Sequence, residues 1–215
     1  YKEAYENQVY DVEYISAKQI LEMEPEVNPD VLGGLYIPRD AVIDPFLFVV
    51  AEAENAADNG VEFLLDAEVT DIHVIDGRVR SVETSKGMIE TCYVINAAGL
   101  FCDEIARMVG EGGDFTVKPR KGQFYILDKN TPCKTSRIIY PIPTPETRGK
   151  LLLQTIHGNM LLGPTAEDLE DKDDHSVTAK ELEEVEKDCK RLVPNIRVQD
   201  TITQYCGLRP NRIPA

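Results

Sequence analysis

Two short runs hold cations at spacings that could do chemistry with an anion. Lys118-Pro119-Arg120-Lys121-Gly122-Gln123 places three positive charges ahead of an expected strand, and Gly207-Leu208-Arg209-Pro210-Asn211-Arg212 places two more after another. The 215-residue chain is acidic, with 38 Asp and Glu against 23 Lys and Arg and a formal net charge of −15, so such clusters make local wells for a small anion. Solvation at the surface is the competing state for Lys118, Arg120 and Lys121, and the expected one for the two lysines. Arg209 differs. Between Gly207 and Pro210, at the end of an apolar strand expected over Ile202 to Cys206, it has little freedom and is expected to point into a cleft. There its fork could hold a carboxylate or phosphate through paired hydrogen bonds.

A second stretch, Gly87 to Gly110, reads as strand, small-residue turn and helix. Cys92 to Ile95 is an apolar run suited to a buried strand, and Asn96-Ala97-Ala98-Gly99 has side chains too small to fill space. Something must come close to that backbone. In an open α/β sheet such a turn lies at the carboxyl end of a strand, where a nucleotide can touch the main chain. The other reading is a tight turn that only lets helix pack on sheet. Residues 103 to 109 carry the helix, with Asp103 and Glu104 at its positive end.

Several chemistries are excluded. The chain contains no G-x-S-x-G, no P-loop, no H-E-x-x-H and no G-x-G-x-x-G. The five cysteines, Cys92, Cys102, Cys133, Cys189 and Cys206, are odd in number and never in a C-x-x-C pattern, which argues against disulfides and zinc and for a reducing cytoplasm. His73, His157 and His175 lack metal-ligand spacing and are expected to be surface or structural, so no metal is assigned. The acidic field argues against nucleic acid, and no apolar run approaches the roughly 20 residues of a membrane span. The 42% hydrophobic content is that of a globular chain with a real core. A start at Tyr1 without Met and an end after a Pro-rich segment lead to the expectation of a piece of a longer protein.

The elements that must position these residues follow in order. Ser16-x-x-Gln19 is a capping box opening a helix through Met23; residues 28 to 40 form a loop with one short strand around Leu35 to Ile37. Asp44 caps a helix that begins at Pro45, carries an apolar stripe through Phe46, Val49, Val50, Ala53 and Ala57, and ends at Asn59-Gly60. The period then switches to two. Val61 to Val69, Ile72 to Ile75, Arg78 to Glu83 and Met88 to Asn96 read as strands, with Asp76-Gly77 and Ser85-Lys86-Gly87 as turns of a meander. After Gly112-Gly113, strands are expected over Gln123 to Leu127, Arg137 to Ile142, Lys150 to Ile156, Met160 to Leu162 and Thr201 to Cys206. One helix, opened by the Thr178-x-x-Glu181 capping box and closed by Pro194, buries Leu182, Val185, Cys189 and Leu192. The acidic run Glu167 to Asp174 is expected to be a solvated loop.

Five segments in order resemble one family. Val94-Ile95-Asn96-Ala97-Ala98-Gly99, Pro119-Arg120-Lys121-Gly122-Gln123, Tyr140-Pro141-Ile142-Pro143, Leu162-Gly163-Pro164-Thr165-Ala166 and Gly207-Leu208-Arg209-Pro210 are similar to successive landmarks of the FAD-dependent oxidoreductases related to D-amino-acid oxidase. The branch most resembled contains FAD-dependent glycerol-3-phosphate dehydrogenase and L-2-hydroxyglutarate oxidase. The resemblance implies an α/β (α+β) fold: part of an FAD-binding domain with a β-meander over 43–112, and an antiparallel or mixed-sheet substrate domain built from 1–42 and 113–215. It implies that Val69 passes the adenine side of FAD and that Asn96, Ala97, Ala98 and Gly99 approach its ADP part. It also implies that Arg209 anchors a substrate anion, with Arg120 and Lys121 as weaker supports. The family's N-terminal dinucleotide fingerprint and C-terminal flavin-binding segment have no counterpart here, so this central piece alone is expected neither to retain FAD nor to turn over.

The expected activity of the parent protein is oxidation of a small anionic 2-hydroxy compound, glycerol 3-phosphate first and L-2-hydroxyglutarate as the alternative, in a cytoplasmic or membrane-peripheral setting. The sequence names neither the electron acceptor nor the general base. A non-enzymatic α+β module that holds an anionic metabolite at Arg209 is the alternative of another class.

Overall fold

The computed structural model describes residues 1–144 and 149–214. In chain order the elements are α1 (Lys2–Glu6), β1 (Glu13–Ser16), α2 (Ala17–Met23), β2 (Gly33–Tyr36), α3 (Pro45–Asp58), β3 (Val69–Ile75), β4 (Arg78–Thr84), β5 (Gly87–Glu90), α4 (Cys102–Met108), β6 (Phe115–Leu127), β7 (Leu151–Gln154), β8 (Met160–Gly163), β9 (Glu167–Asp168), α5 (Ala179–Leu192) and β10 (Thr201–Pro214). They form two compact units. The first holds Tyr1–Phe48, Gly122–Ala166 and His175–Gly207; the second holds Val49–Lys121, Glu167–Asp174 and the segment from Leu208. The fold is mixed α/β with antiparallel pairing in its sheets.

The first unit owes its core to one helix face laid on one sheet. β8 lies between β6 and β7, pairing Tyr125 to Leu127 on one side and Leu151 to Gln154 on the other. Thr178 caps α5 by accepting the Glu181 N–H, and Leu182, Val185 and Cys189, spaced at helical intervals, are buried with Leu127, Leu152, Met160 and Leu162. β8 approaches β6 so closely that a Cβ on Gly163 would lie 2.7 Å from the Gln123 carbonyl oxygen, so only glycine fits there. The N-terminal segment docks on the end of α5, where Asn28 donates from its backbone to Leu192 O (2.8 Å) and from its side chain to Arg191 O (2.9 Å). Those are carbonyls that the helix itself cannot satisfy. The Ser16 capping box is complete, and Asp44 Oδ1 accepts the Phe46 and Leu47 N–H groups at 2.9 and 3.0 Å, as the sequence predicts.

The second unit contains the meander. β3, β4 and β5 pair antiparallel in that order, and Asp76 and Gly77, both at positive φ, make the two-residue turn expected between β3 and β4. Other expectations fail here. Residues 61–68 and 91–98 carry no strand, and Tyr93 and Ile95 are 88% and 92% exposed where a buried strand was expected. Apolar content alone does not make a strand. The backbone needs a neighbouring ladder, and the described residues bring none to these segments. The stripe of α3 is likewise uncovered, with Phe46, Val49 and Val50 exposed. In the first unit, the strand expected over Arg137 to Ile142 shrinks to a single bridge, Ile139 to Leu152.

Asp103, at the start of α4, is the buried polar hub of the second unit at 1% exposure. It accepts from Lys172 Nζ (2.8 Å), Arg107 Nη2 (2.8 Å) and the Val117 N–H (3.2 Å), which fastens α4, β6 and the acidic segment together. Burial pushes its carboxyl up, but the Lys172, Val117 and Arg107 hydrogen bonds outweigh it and lower the pKa from 3.8 to about 2. The folded value is depressed, so the stabilisation is present above the unfolded value and is lost as pH falls through about 2. The expected contribution is about 2 kcal/mol. Urea unfolding at about pH 5 and about pH 2.5 checks it. Asp103→Asn should be less stable than the parent at the higher pH and should lose much less on acidification; equal losses in both would sink the assignment.

Candidate functional site

The candidate cations lie within strands. β6 starts at Phe115, upstream of where the sequence placed a strand, and its side chains alternate strictly: Val117, Pro119, Lys121, Gln123, Tyr125 and Leu127 face inward, while Lys118 and Arg120 lie on the other face. The period of two therefore buries the Lys121 ammonium, which is 2% exposed. It is met by Asp174 Oδ2 at 3.0 Å and Glu167 Oε2 at 3.6 Å. Solvation of Lys121 is thus corrected to a buried ion pair. Arg120 binds Asp168 with both prongs of its fork, Nε to Oδ1 at 2.7 Å and Nη2 to Oδ2 at 2.8 Å. Lys118 pairs with Glu170.

These contacts also correct the reading of the acidic run as a solvated loop. β9 pairs with β6 so that Arg120 faces Asp168 and Lys121 faces Glu167, and the Leu169 N–H donates to Pro119 O at 2.9 Å. The sequence shows six carboxylates from Glu167 to Asp174, but not that Glu167, Asp168, Glu170 and Asp174 meet particular cations some 50 residues earlier in the chain. A regular charge order in the two segments was the only available signal. Opposite charges directly across a ladder are mutually stabilising.

Arg209 lies inside β10, which runs on past Cys206 to Pro214, and not in a turn beyond the strand's end. Its side chain is exposed. Among the described residues it makes no hydrogen bond and no ion pair. Its charge still reaches Asp168, whose carboxyl is held below the usual range by the Arg120 hydrogen bond, against a smaller opposing effect of burial, with Arg209 contributing at longer range. The second unit therefore brings Arg120, Lys121 and Arg209 into one electrostatic neighbourhood in which two guanidinium or ammonium groups are satisfied and one is not.

The small-residue turn has the geometry of an open main chain. Asn96 holds it by donating from Nδ2 to Cys102 O (2.8 Å) and accepting the Ala98 N–H at Oδ1 (3.3 Å), and Gly99 opens a short 3₁₀ turn into α4. Asn96 to Gly99 are all exposed, and nothing lies within 4 Å of where a Gly99 Cβ would be. Val69 begins β3 opposite Thr84 and is half-buried. An uncovered backbone of this kind fits the approach of a nucleotide portion of a cofactor.

The first unit has its own cavity of about 590 Å³, lined by apolar side chains such as Ile20, Val27 and Ile139 with Glu24 and Arg137 among them. Glu24 is buried and accepts from Ser136 Oγ (2.6 Å), Ser136 N–H (3.1 Å) and Arg137 Nη1 (3.1 Å). None of the candidate binding residues lines it, although Tyr140 of the Tyr140-Pro141-Ile142-Pro143 segment does. All five cysteines are free, and burial pushes the Cys133 and Cys189 thiols up to about 12, which makes them inert packing groups.

Comparison with known proteins identifies the family and agrees with the fold. A family model described as FAD dependent oxidoreductase matches residues 1–215. A glycerol 3-phosphate dehydrogenase from Caloramator mitchellensis is 36% identical over 209 residues, covering 97% of this chain and 43% of its own. An L-2-hydroxyglutarate dehydrogenase from Salmonella houtenae is 31% identical over 157 residues, covering 72% of this chain and 36% of its own. Among solved structures, the L-alpha-glycerophosphate oxidase from Mycoplasma pneumoniae, determined with FAD bound, superimposes with a TM-score of 0.82 at 28% identity, covering 94% of this chain and 53% of that one. The chain spans about half the length of the relatives it matches. No helix among the described residues is long and apolar enough to cross a membrane. With a family model matched along its whole length, the chain belongs to the FAD-dependent oxidoreductase family of D-amino-acid oxidase.

Proposed function

We propose that the protein containing this chain oxidises a small anionic 2-hydroxy compound, glycerol 3-phosphate before L-2-hydroxyglutarate, and that Arg209 anchors the substrate anion. The observation that carries the reading is the unmatched guanidinium. In a strongly acidic chain Arg209 is exposed and forms no ion pair among the described residues, while its neighbours Arg120 and Lys121 are already held by Asp168, Asp174 and Glu167. A cation with its fork open can take a phosphate or carboxylate bidentately. Arg120 and Lys121 then support it more weakly, by adding positive potential.

FAD, when bound, supplies the acceptor for the hydride that leaves the carbinol carbon. On this reading Val69 and Asn96 to Gly99 are the residues that meet its adenosine and phosphate side, and 43–112 belongs to a flavin-binding domain. Support comes from the uncovered apolar groups of the second unit, Phe63, Leu65, Tyr93 and Ile95 among them, and from the greater length of the relatives. Substrate contacts are assigned to 1–42 and 113–215. Similarity to the glycerol 3-phosphate dehydrogenase runs over 97% of the chain and to the L-2-hydroxyglutarate dehydrogenase over 72%, which sets the order of the two substrates.

Steady-state kinetics of the full-length protein with both substrates, with flavin content measured in each preparation, tests the assignment. Arg209→Ala should lower kcat/KM by about 10² to 10⁴, because a bidentate pair of charge-assisted hydrogen bonds is lost. Arg209→Lys should recover part of it, and Arg120→Ala should cost less. Near-parental kcat/KM in Arg209→Ala for every 2-hydroxy acid or phosphate accepted would make Arg209 structural. Binding of either anion without turnover in the flavin-loaded protein would favour the non-enzymatic module.

The paired cations have a different signature. Lys121→Met leaves Asp174 and Glu167 facing each other without their buried counter-ion and should cost about 3 kcal/mol of stability. Arg120→Ala, at a more exposed pair, should cost about 1 kcal/mol or less. Urea midpoints of the two variants decide it, and equal small losses would show that Lys121 is not the buried anchor.

A further inference from the structure

Asp71, His73 and Glu83 meet on one face of the meander in the second unit. Residues two apart on a strand share a face, so Asp71 and His73 project together from β3; the register then sets Glu83 of β4 directly opposite Asp71, and Ser81 opposite His73. Ser81 is small, which leaves the imidazole room to lean toward Glu83. His73 Nδ1 is 4.0 Å from Asp71 Oδ2, and its Nε2 is 3.5 Å from Glu83 Oε2. One ring nitrogen and one oxygen from each carboxylate all lie within 4.8 Å of one another.

As it stands this cluster is unbalanced. Two carboxylates directly across a ladder repel each other, and among the described residues no Lys or Arg pairs with either. His73 Nε2 is buried and has no hydrogen-bond partner, although the side chain as a whole is 38% exposed. Asp71 Oδ1 accepts the Ile72 N–H at 2.8 Å, which fixes that carboxylate and leaves its second oxygen toward the imidazole. Register shifts between Val69 and Asp71 and between His73 and Val74 bracket the cluster, so the ladder is weakest there.

We propose that Asp71, His73 and Glu83 bind a divalent transition-metal ion of the Zn²⁺ class, with water completing its shell. A tetrahedral ion with ligands at roughly 2.0–2.2 Å holds them roughly 3.4 Å apart, which side-chain rotation of about 1 Å achieves from these positions. Imidazole selects against Mg²⁺ and Ca²⁺, and the two hard oxygens select against Cu(I). The ion turns a repulsive pair into a clip across the irregular β3–β4 ladder. It is a structural site, distinct from the Arg209 neighbourhood and independent of the substrate assignment.

The test is calorimetric titration of ZnCl₂ into the full chain after chelator treatment, followed by Co²⁺ as an absorbing substitute. The parent should bind about one Zn²⁺ per chain, and Glu83→Gln and His73→Gln should each weaken it by at least about tenfold. Cys92→Ser should change nothing, and the Co²⁺ complex should lack a thiolate charge-transfer band. Glu83 is exposed, so its variant reads binding even where His73→Gln perturbs folding, as circular dichroism would reveal. Zn²⁺ affinity unchanged in Glu83→Gln, a thiolate band lost in Cys92→Ser, or no binding at about 100 μM free Zn²⁺ would each overturn the site.

Discussion

The second unit depends on one constraint, that the ammonium of Lys121 occupies an inward position of β6. Strand periodicity gives it no choice, because Val117 and Pro119 before it and Gln123 after it share the same face. Taking a charge out of water costs several kcal/mol, so the strand folds this way only if carboxylates come to it. Asp174 and Glu167 do so. Once they are held there, Asp168 falls opposite Arg120, Glu170 reaches Lys118, and Lys172 reaches Asp103 and Glu104. The acidic run is thus a charge clamp whose register is set by a single buried cation.

The next inward residue meets part of the same demand without charge, its side-chain oxygen and backbone being paired while its Nε2 is buried without a hydrogen-bond partner. Gln123 is fully buried, and its Oε1 accepts the Thr178 N–H at 2.7 Å, which links β6 to the start of α5. Its backbone exchanges two hydrogen bonds with Thr165: the N–H donates to Thr165 Oγ1 at 2.9 Å, and the carbonyl accepts the Thr165 N–H at 3.2 Å. Two of the segments that carry the family resemblance, Arg120 to Gln123 and Gly163 to Thr165, are therefore partly explained by packing. A buried polar group without a partner is more costly than the hydrogen bond is worth, so these residue types are constrained whatever the substrate.

Local chemistry was legible in the sequence, and partners distant in the chain were not. Ser16, Asp44 and Thr178 announce helix starts because an N-cap is a property of a few consecutive residues, and Asp76-Gly77 announces a turn for the same reason. Lys121 reads as surface charge because three cations in four positions look like a surface patch unless the strand's start at Phe115 is known. His73 reads as a surface or structural residue in the sequence because its neighbour Glu83 is supplied by the register of another strand. Tyr93 and Ile95 failed in the opposite sense: their residue types suit a strand, but a strand is a relation between two backbones, and one backbone alone does not create it.

A single criterion then separates structural charge from charge available for binding. In the second unit almost every cation near β6 and α4 is matched: Lys118, Arg120, Lys121, Arg107 and Lys172 each have a named carboxylate. Matched groups stabilise the fold and have little left to offer a ligand. Two places break the pattern in opposite senses. Arg209 is a cation with no anion among the described residues, and Asp71 with Glu83 is an anion pair whose one neighbour is an imidazole. Among the groups around β6, Arg209 is thus the cation whose fork the chain leaves open, and on the meander Asp71 and Glu83 are the carboxylates that no Lys or Arg among the described residues compensates.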